Sequence, residues 1–175
     1  MEKILISACL VGRKVRYDAK ASKAPGDWVD CWRRQGRLVP LCPELAGGLS
    51  VPRPAAEIVG GEGKDVLSGL ARLRTEDGVD VTDAFIAGAT QALEVARREG
   101  IRVALLKARS PSCGAASIYD GTFSGTMRSG SGVTAALLRD AGIFVFSEED
   151  LDEAAQKIRA LEARRDKNAP KPSDQ

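Results

Sequence analysis

Residues 3–10 read KILISACL, a short apolar run rich in Ile and Leu that carries a thiol, Cys9, next to its end. A run of this length without polar alternation suits a strand covered on both faces. RLVPLC (37–42) closes on a cysteine, and IRVALLK (101–107) is followed, after a short loop, by Cys113. IFVFS (143–147) reads as one more strand. Helical patterns lie between these runs. PGDWVDCWRRQG (25–36) predicts a short helix capped near Asp27 and stopped at Gly36. From Thr82 to about Glu99, Phe85, Ile86, Ala89, Leu93 and Ala96 share one face, and Gly100 supplies the stop. SGVTAALLRDAG (131–142) predicts a helix with Ser131 as its cap, and SEEDLDEAAQKIRALEARR (147–165) predicts the last one.

Strands alternating with helices define an α/β fold: a single domain, Rossmann-like, with a mainly parallel sheet and flanking helices. Residues 46–81 are rich in Gly and Pro and leave room for one short strand, at LARLR (70–74). The domain is expected over 1–165, with DKNAPKPSDQ (166–175) as a disordered tail. Ligands of open α/β sheets bind at the carboxyl ends of the strands, where strand order reverses. That topology would bring Cys9, Cys42 and Cys113 to one rim.

The 175 residues are 43% hydrophobic, 29% charged and 5% aromatic, with a net charge of +2. Those values describe an ordinary soluble protein with no nucleic-acid footprint. No apolar run approaches the roughly 20 residues of a membrane span, and MEKILISACLVG, followed by RK, lacks a signal-peptide layout. The expected location is the cytoplasm, where thiols stay reduced. The four cysteines then read as ligands, nucleophiles or core fillers. The chain contains no histidine, which excludes Ser-His-Asp and Cys-His catalysis, Cys2His2 zinc and two-His carboxylate iron sites. Proton transfer near neutral pH falls to a carboxylate, Lys, Cys, Tyr, a serine relay or water.

Singly, each cysteine could be a small buried hydrophobe. Their neighbours argue otherwise for three of them. Cys42 sits between Pro40 and Pro43 in PLCPE, and Cys113 sits between Pro111 and Gly114 in RSPSCG. Three thiolates from three loops suit zinc with one open position, or an iron–sulfur cluster with one iron left free. Cys31, between Trp28 and Trp32, reads as core. DGTFSGTMRSGSGVT (120–134) offers glycines ahead of a helix, but matches neither Walker A nor a dinucleotide fingerprint, so a flexible lid is expected. In KVRYD, Tyr17 is expected to lay its ring over a base, whereas Arg16 and Asp18 suit a surface salt bridge.

SACLVGRKVRYD (7–18), PLCPELAGGLSVPRPAAEI (40–58), RSPSCG (109–114), IYDGTFSGT (118–126) and GSGVTAALLRDAGI (130–143) together resemble the thiouracil desulfidase family of small bacterial proteins. The likeness runs from about residue 3 to residue 147. Ala19 departs from it, since the family pattern is VRYDG, and Cys31 is peculiar to this chain. The resemblance implies a [4Fe-4S] cluster on Cys9, Cys42 and Cys113, with the fourth iron open to the substrate's sulfur. It implies a catalytic role for Glu44 of the CPE motif and for a serine of RSPSC, Ser110 ahead of Ser112, with Ser112 otherwise a substrate contact. The implied reaction is non-redox desulfidation of 2-thiouracil, or a related thiolated pyrimidine, to uracil and hydrosulfide. Two rival readings are a zinc-stabilised nucleotide-binding module without catalysis and a desulfidase acting on thiolated tRNA.

Overall fold

The computed structural model describes residues 1–167. Four parallel strands, β1 (Ile4–Ser7), β2 (Leu38–Leu41), β5 (Val103–Leu106) and β8 (Phe144–Ser147), form one sheet in the order β2-β1-β5-β8. Every residue of β1 and β5 is buried, as expected for inner strands covered on both faces. Strand order reverses between β1 and β5, so the switch point lies at the centre of the sheet.

Alternating side chains of these strands feed two cores. Ile4, Ile6, Val103 and Leu105 face α1 (Asp27–Arg34) and α6 (Leu151–Lys167), meeting Val29, Trp32 and Ile158. Leu5, Ala104 and Leu106 face the other way, towards Ala92, Leu93 and Ala96 of α4 (Thr82–Arg98) and Leu138 of α5 (Val133–Asp140). The result is one α/β domain with helices on both sheet faces, as expected. Burial of these aliphatic side chains, worth about 1.5–3 kcal/mol each, is the main stabilising term.

The Gly- and Pro-rich stretch is more ordered than its composition suggests. It starts at the last residue of α2 (Pro43–Ala46) and holds α3 (Gly63–Leu67) and an antiparallel hairpin of β3 (Ala56–Val59) and β4 (Arg72–Thr75). α2 and the hairpin pack on α4 and α3 packs on α5, and Ile58, Val66, Leu73, Phe85, Ala89 and Val133 form a third core. The expected flexible lid is a second hairpin, β6 (Ser117–Tyr119) and β7 (Met127–Ser129). Its ladder and the bonds within its tip supply the order that the glycines alone do not.

Two caps are corrected. Gly26, not Asp27, is the N-cap of α1, and Asp27 lies in its first turn. Gly132, not Ser131, is the N-cap of α5, and the Ser131 N–H donates to Glu62 Oε2 at 2.9 Å. The tail expected from residue 166 begins inside α6, and positions 168–175 lie outside the described residues.

Candidate active site

A cavity of about 520 Å³ opens at the carboxyl ends of the parallel strands, and Cys9, Cys42, Cys113, Glu44, Ser110 and Tyr17 all line it. Cys9 lies in a single 3-10 turn (Ala8–Val11) directly after β1. Its carbonyl accepts N–H bonds from Gly12 and Ser22, at 3.2 and 3.0 Å. Cys42 follows β2 and is the N-cap of α2. Cys113 follows β5 and is buried, with its sulfur accepting from Ser7 Oγ at 3.4 Å. The same Oγ accepts the Lys107 N–H at 2.9 Å. That bond occupies a lone pair and leaves the hydroxyl proton for the sulfur.

All four cysteines are free thiols. Burial pushes Cys9 up to about 11, with neighbouring Cys42 adding to the rise. Burial also pushes Cys113 up to about 12 against the opposing Ser7 bond, and raises Cys42. A soft cation paired with these sulfurs would reverse that direction. Among the described residues, no three Cys, Asp or Glu side chains converge closely enough to hold one metal ion. A cluster makes a different demand, since each thiolate binds its own iron. Three soft donors from three loops on one cavity wall fit that larger group. Cys31, half-buried on α1, is not part of the wall.

Glu44 stands in the first turn of α2. α2 lies backbone to backbone against α4: an added Cβ at Gly88 would fall 1.9 Å from the Pro43 carbonyl oxygen, and one at Gly47 1.9 Å from that of Ala84. This close approach fixes both Cys42 and Glu44 relative to the sheet. Burial raises the Glu44 carboxyl above its usual range, and the Arg53 guanidinium opposes the rise. Arg53 donates to Glu44 Oε2 through Nε at 2.6 Å, with Nη2 2.5 Å from the same oxygen. Oε1 accepts no hydrogen bond among the described residues. Arg53 also donates to the carbonyls of Ser50 and Val15 at 3.0 and 3.1 Å, so it ties three loops together. Sequence reasoning passed over Arg53; its place in VPRP, inside the same motif as CPE, was the available signal.

The Ser110 Oγ accepts the N–H groups of Ser112 and Cys113, both at 3.1 Å. With its lone pairs engaged, its own proton is free to donate into the cavity. Ser112 is not brought to the cavity: it is fully buried, with its hydroxyl 2.9 Å from that of Thr134. Tyr17 is 44% exposed at the mouth, its ring centroid 5.8 Å from the Arg16 guanidinium carbon. Lys107 also lines the cavity, held by the Glu148 carboxylate, which accepts the Ala108 N–H at 2.7 Å as well.

Comparison with known proteins places this chain in a family. An uncharacterised Bacillus subtilis protein, YbbK, is 46% identical over 150 residues, 86% of this chain and 98% of that protein. The solved structure of TudS, a [4Fe-4S]-dependent thiouracil desulfidase, superposes with a TM-score of 0.83 at 46% identity, covering 91% of this chain and 99% of its own. The family model described as 2-thiouracil desulfurase matches residues 4–150, and the chain belongs to that family.

Proposed function

We propose that this protein is a cytoplasmic, cluster-dependent desulfidase that hydrolyses the carbon–sulfur bond of 2-thiouracil or a closely related thiolated pyrimidine. The observation that carries this reading is the meeting of three free thiols, one half-committed carboxylate and one outward-donating serine on a single cavity. Cys9, Cys42 and Cys113 would hold a [4Fe-4S] cluster. When bound with one iron free of protein ligands, that cluster supplies a soft Lewis acid for the substrate's sulfur.

The chain's own residues handle the protons. Arg53 opposes the rise that burial imposes on the Glu44 carboxyl and orients it by binding only Oε2. Oε1 takes a proton from the attacking water and returns it as the carbon–sulfur bond breaks. The oxygen of water becomes the new carbonyl oxygen as its second proton passes to solvent, sulfur departs as hydrosulfide carrying the proton returned by Glu44, and no electron is transferred. Ser110 donates a hydrogen bond to the pyrimidine, keeping its proton, and holds the ring for attack. Tyr17 closes the mouth of the cavity.

The test is anaerobic reconstitution with iron and sulfide, followed by 2-thiouracil and assays for uracil and sulfide. Wild type and Cys31→Ala should turn over, whereas Cys9→Ala, Cys42→Ala and Cys113→Ala should not. Iron bound at about four per chain without turnover would reject the substrate. A wild type that binds no iron would reject the cluster.

A further inference from the structure

Glu57 is buried on β3, yet its partners lie more than 60 positions along the chain: Oε2 accepts the N–H groups of Gly121 and Phe123 at 2.9 and 3.1 Å. Both donors belong to the tip of the β6–β7 hairpin. Gly121 has φ +89, and an added Cβ would fall 2.5 Å from the Ile58 carbonyl oxygen, so the tip sits directly on β3. The tip is braced from within as well. Asp120 Oδ1 accepts from the Thr122 N–H and hydroxyl at 3.0 and 2.6 Å, and the hydroxyls of Thr122, Ser124 and Thr126 form a chain with 2.7 Å steps.

All this bonding holds Phe123 at φ +57, a left-handed conformation costly for a bulky side chain. Unfavourable backbone of this kind persists where the surroundings over-determine it. A turn alone would be better served by Gly or Asn. The particular gain from Phe is its ring, and Phe123 lines the same cavity as the thiols. Both of the chain's tyrosines, Tyr17 and Tyr119, line the same cavity and remain substantially exposed. In a chain only 5% aromatic, that gathering marks a surface for a flat ring.

We propose that Phe123 is the specificity-determining residue that stacks on the substrate's heteroaromatic ring, and that Glu57 is the residue positioning it. This rests on the desulfidase reading and adds to it a selection for planar aromatic heterocycles over puckered rings with the same hydrogen-bonding groups. Base–aromatic stacking supports about a 10- to 100-fold effect on binding when the ring is removed.

The reconstituted protein should be assayed with 2-thiouracil and titrated calorimetrically with uracil and with 5,6-dihydrouracil, whose ring is puckered and not aromatic. Phe123→Ala should raise KM for 2-thiouracil by about 10- to 100-fold with kcat little changed, and should abolish the preference for uracil. Phe123→Trp should retain both. Glu57→Ala should move KM in the same direction, while Glu57→Gln, which keeps an acceptor oxygen, should stay near wild type. An unchanged KM and an unchanged preference in Phe123→Ala, with wild type active, would overturn this inference alone. A wild type that neither converts 2-thiouracil nor binds uracil would overturn the desulfidase reading together with it.

Discussion

The backbone contact between α2 and α4 gives a sharp test of how the site is held. In Gly88→Ala, the new methyl carbon would lie 1.9 Å from the Pro43 carbonyl oxygen and 2.7 Å from its carbon. An unstrained carbon–oxygen approach is about 3.3 Å, so the two helices must part by about 1.4 Å at that point. Overpacking of this kind costs about 1–3 kcal/mol, whereas replacing a mid-helix glycine by alanine returns about 1 kcal/mol. The net loss should be about 0–2 kcal/mol, or a fall in Tm of at most about 8 °C. The protein should fold. The site should suffer far more, because α2 carries Cys42 at its N-cap and Glu44 in its first turn. A displacement of about 1 Å at reacting groups can lower turnover about 100-fold. We therefore expect kcat/KM for 2-thiouracil to fall by that order in reconstituted Gly88→Ala. Thr90→Ala, on the exposed side of the same helix, should retain wild-type activity. A Gly88→Ala enzyme within two-fold of wild type would show that the contact does not fix the site.

Arg53→Met leaves the Glu44 carboxylate in its buried position without a cation; the expected loss is about 3–5 kcal/mol in urea denaturation. Much of it should return in the Glu44→Gln, Arg53→Met double variant, and an unchanged midpoint in the single variant would refute the pairing. Ala19 has φ +56, a left-handed conformation that glycine adopts more readily, so Ala19→Gly should raise stability by up to about 1 kcal/mol. A lowered Tm would contradict that account. Glu2 is held below its usual value of 4.5 by the Arg102 guanidinium, which bonds both carboxylate oxygens at 2.9 and 2.7 Å. Its contribution is present above the unfolded value and is lost as pH falls through the lower folded one. Glu2→Gln should thus be less stable at neutral pH and should lose less stability on acidification, as read by denaturation across that range.

The parallel sheet was legible because β1 and β5 are buried on both faces, which forces uninterrupted apolar runs. The long helix α4 was legible from its apolar face. The short elements were not. α2 and α3 span four and five residues, too few for a helical period to register. β7 is exposed at every position and carries no burial pattern at all. At the site, Cys9, Cys42, Cys113, Glu44 and Ser110 stand out through motifs, and the fold brings them to one cavity. Ser112 shares its motif with Ser110, but the turn directs it to Thr134 instead. Ser7 and Glu57 act through partners distant in sequence, and no local pattern announces such pairings, whereas Arg53 reaches Glu44 within one motif.

The strand order has a consequence for synthesis. β1 takes β2 as one neighbour and β5 as the other, although β2 ends at Leu41 and β5 starts only at Val103. At about 5–20 residues per second, the ribosome needs several seconds to deliver the missing strand. During that interval the nascent chain displays Cys9 and Cys42 beside half a sheet, and Cys113 has not yet been made. Any group that requires all three sulfurs must be loaded after β5 docks. Metal captured earlier, by two thiols alone, would have to be released before the third could take its place.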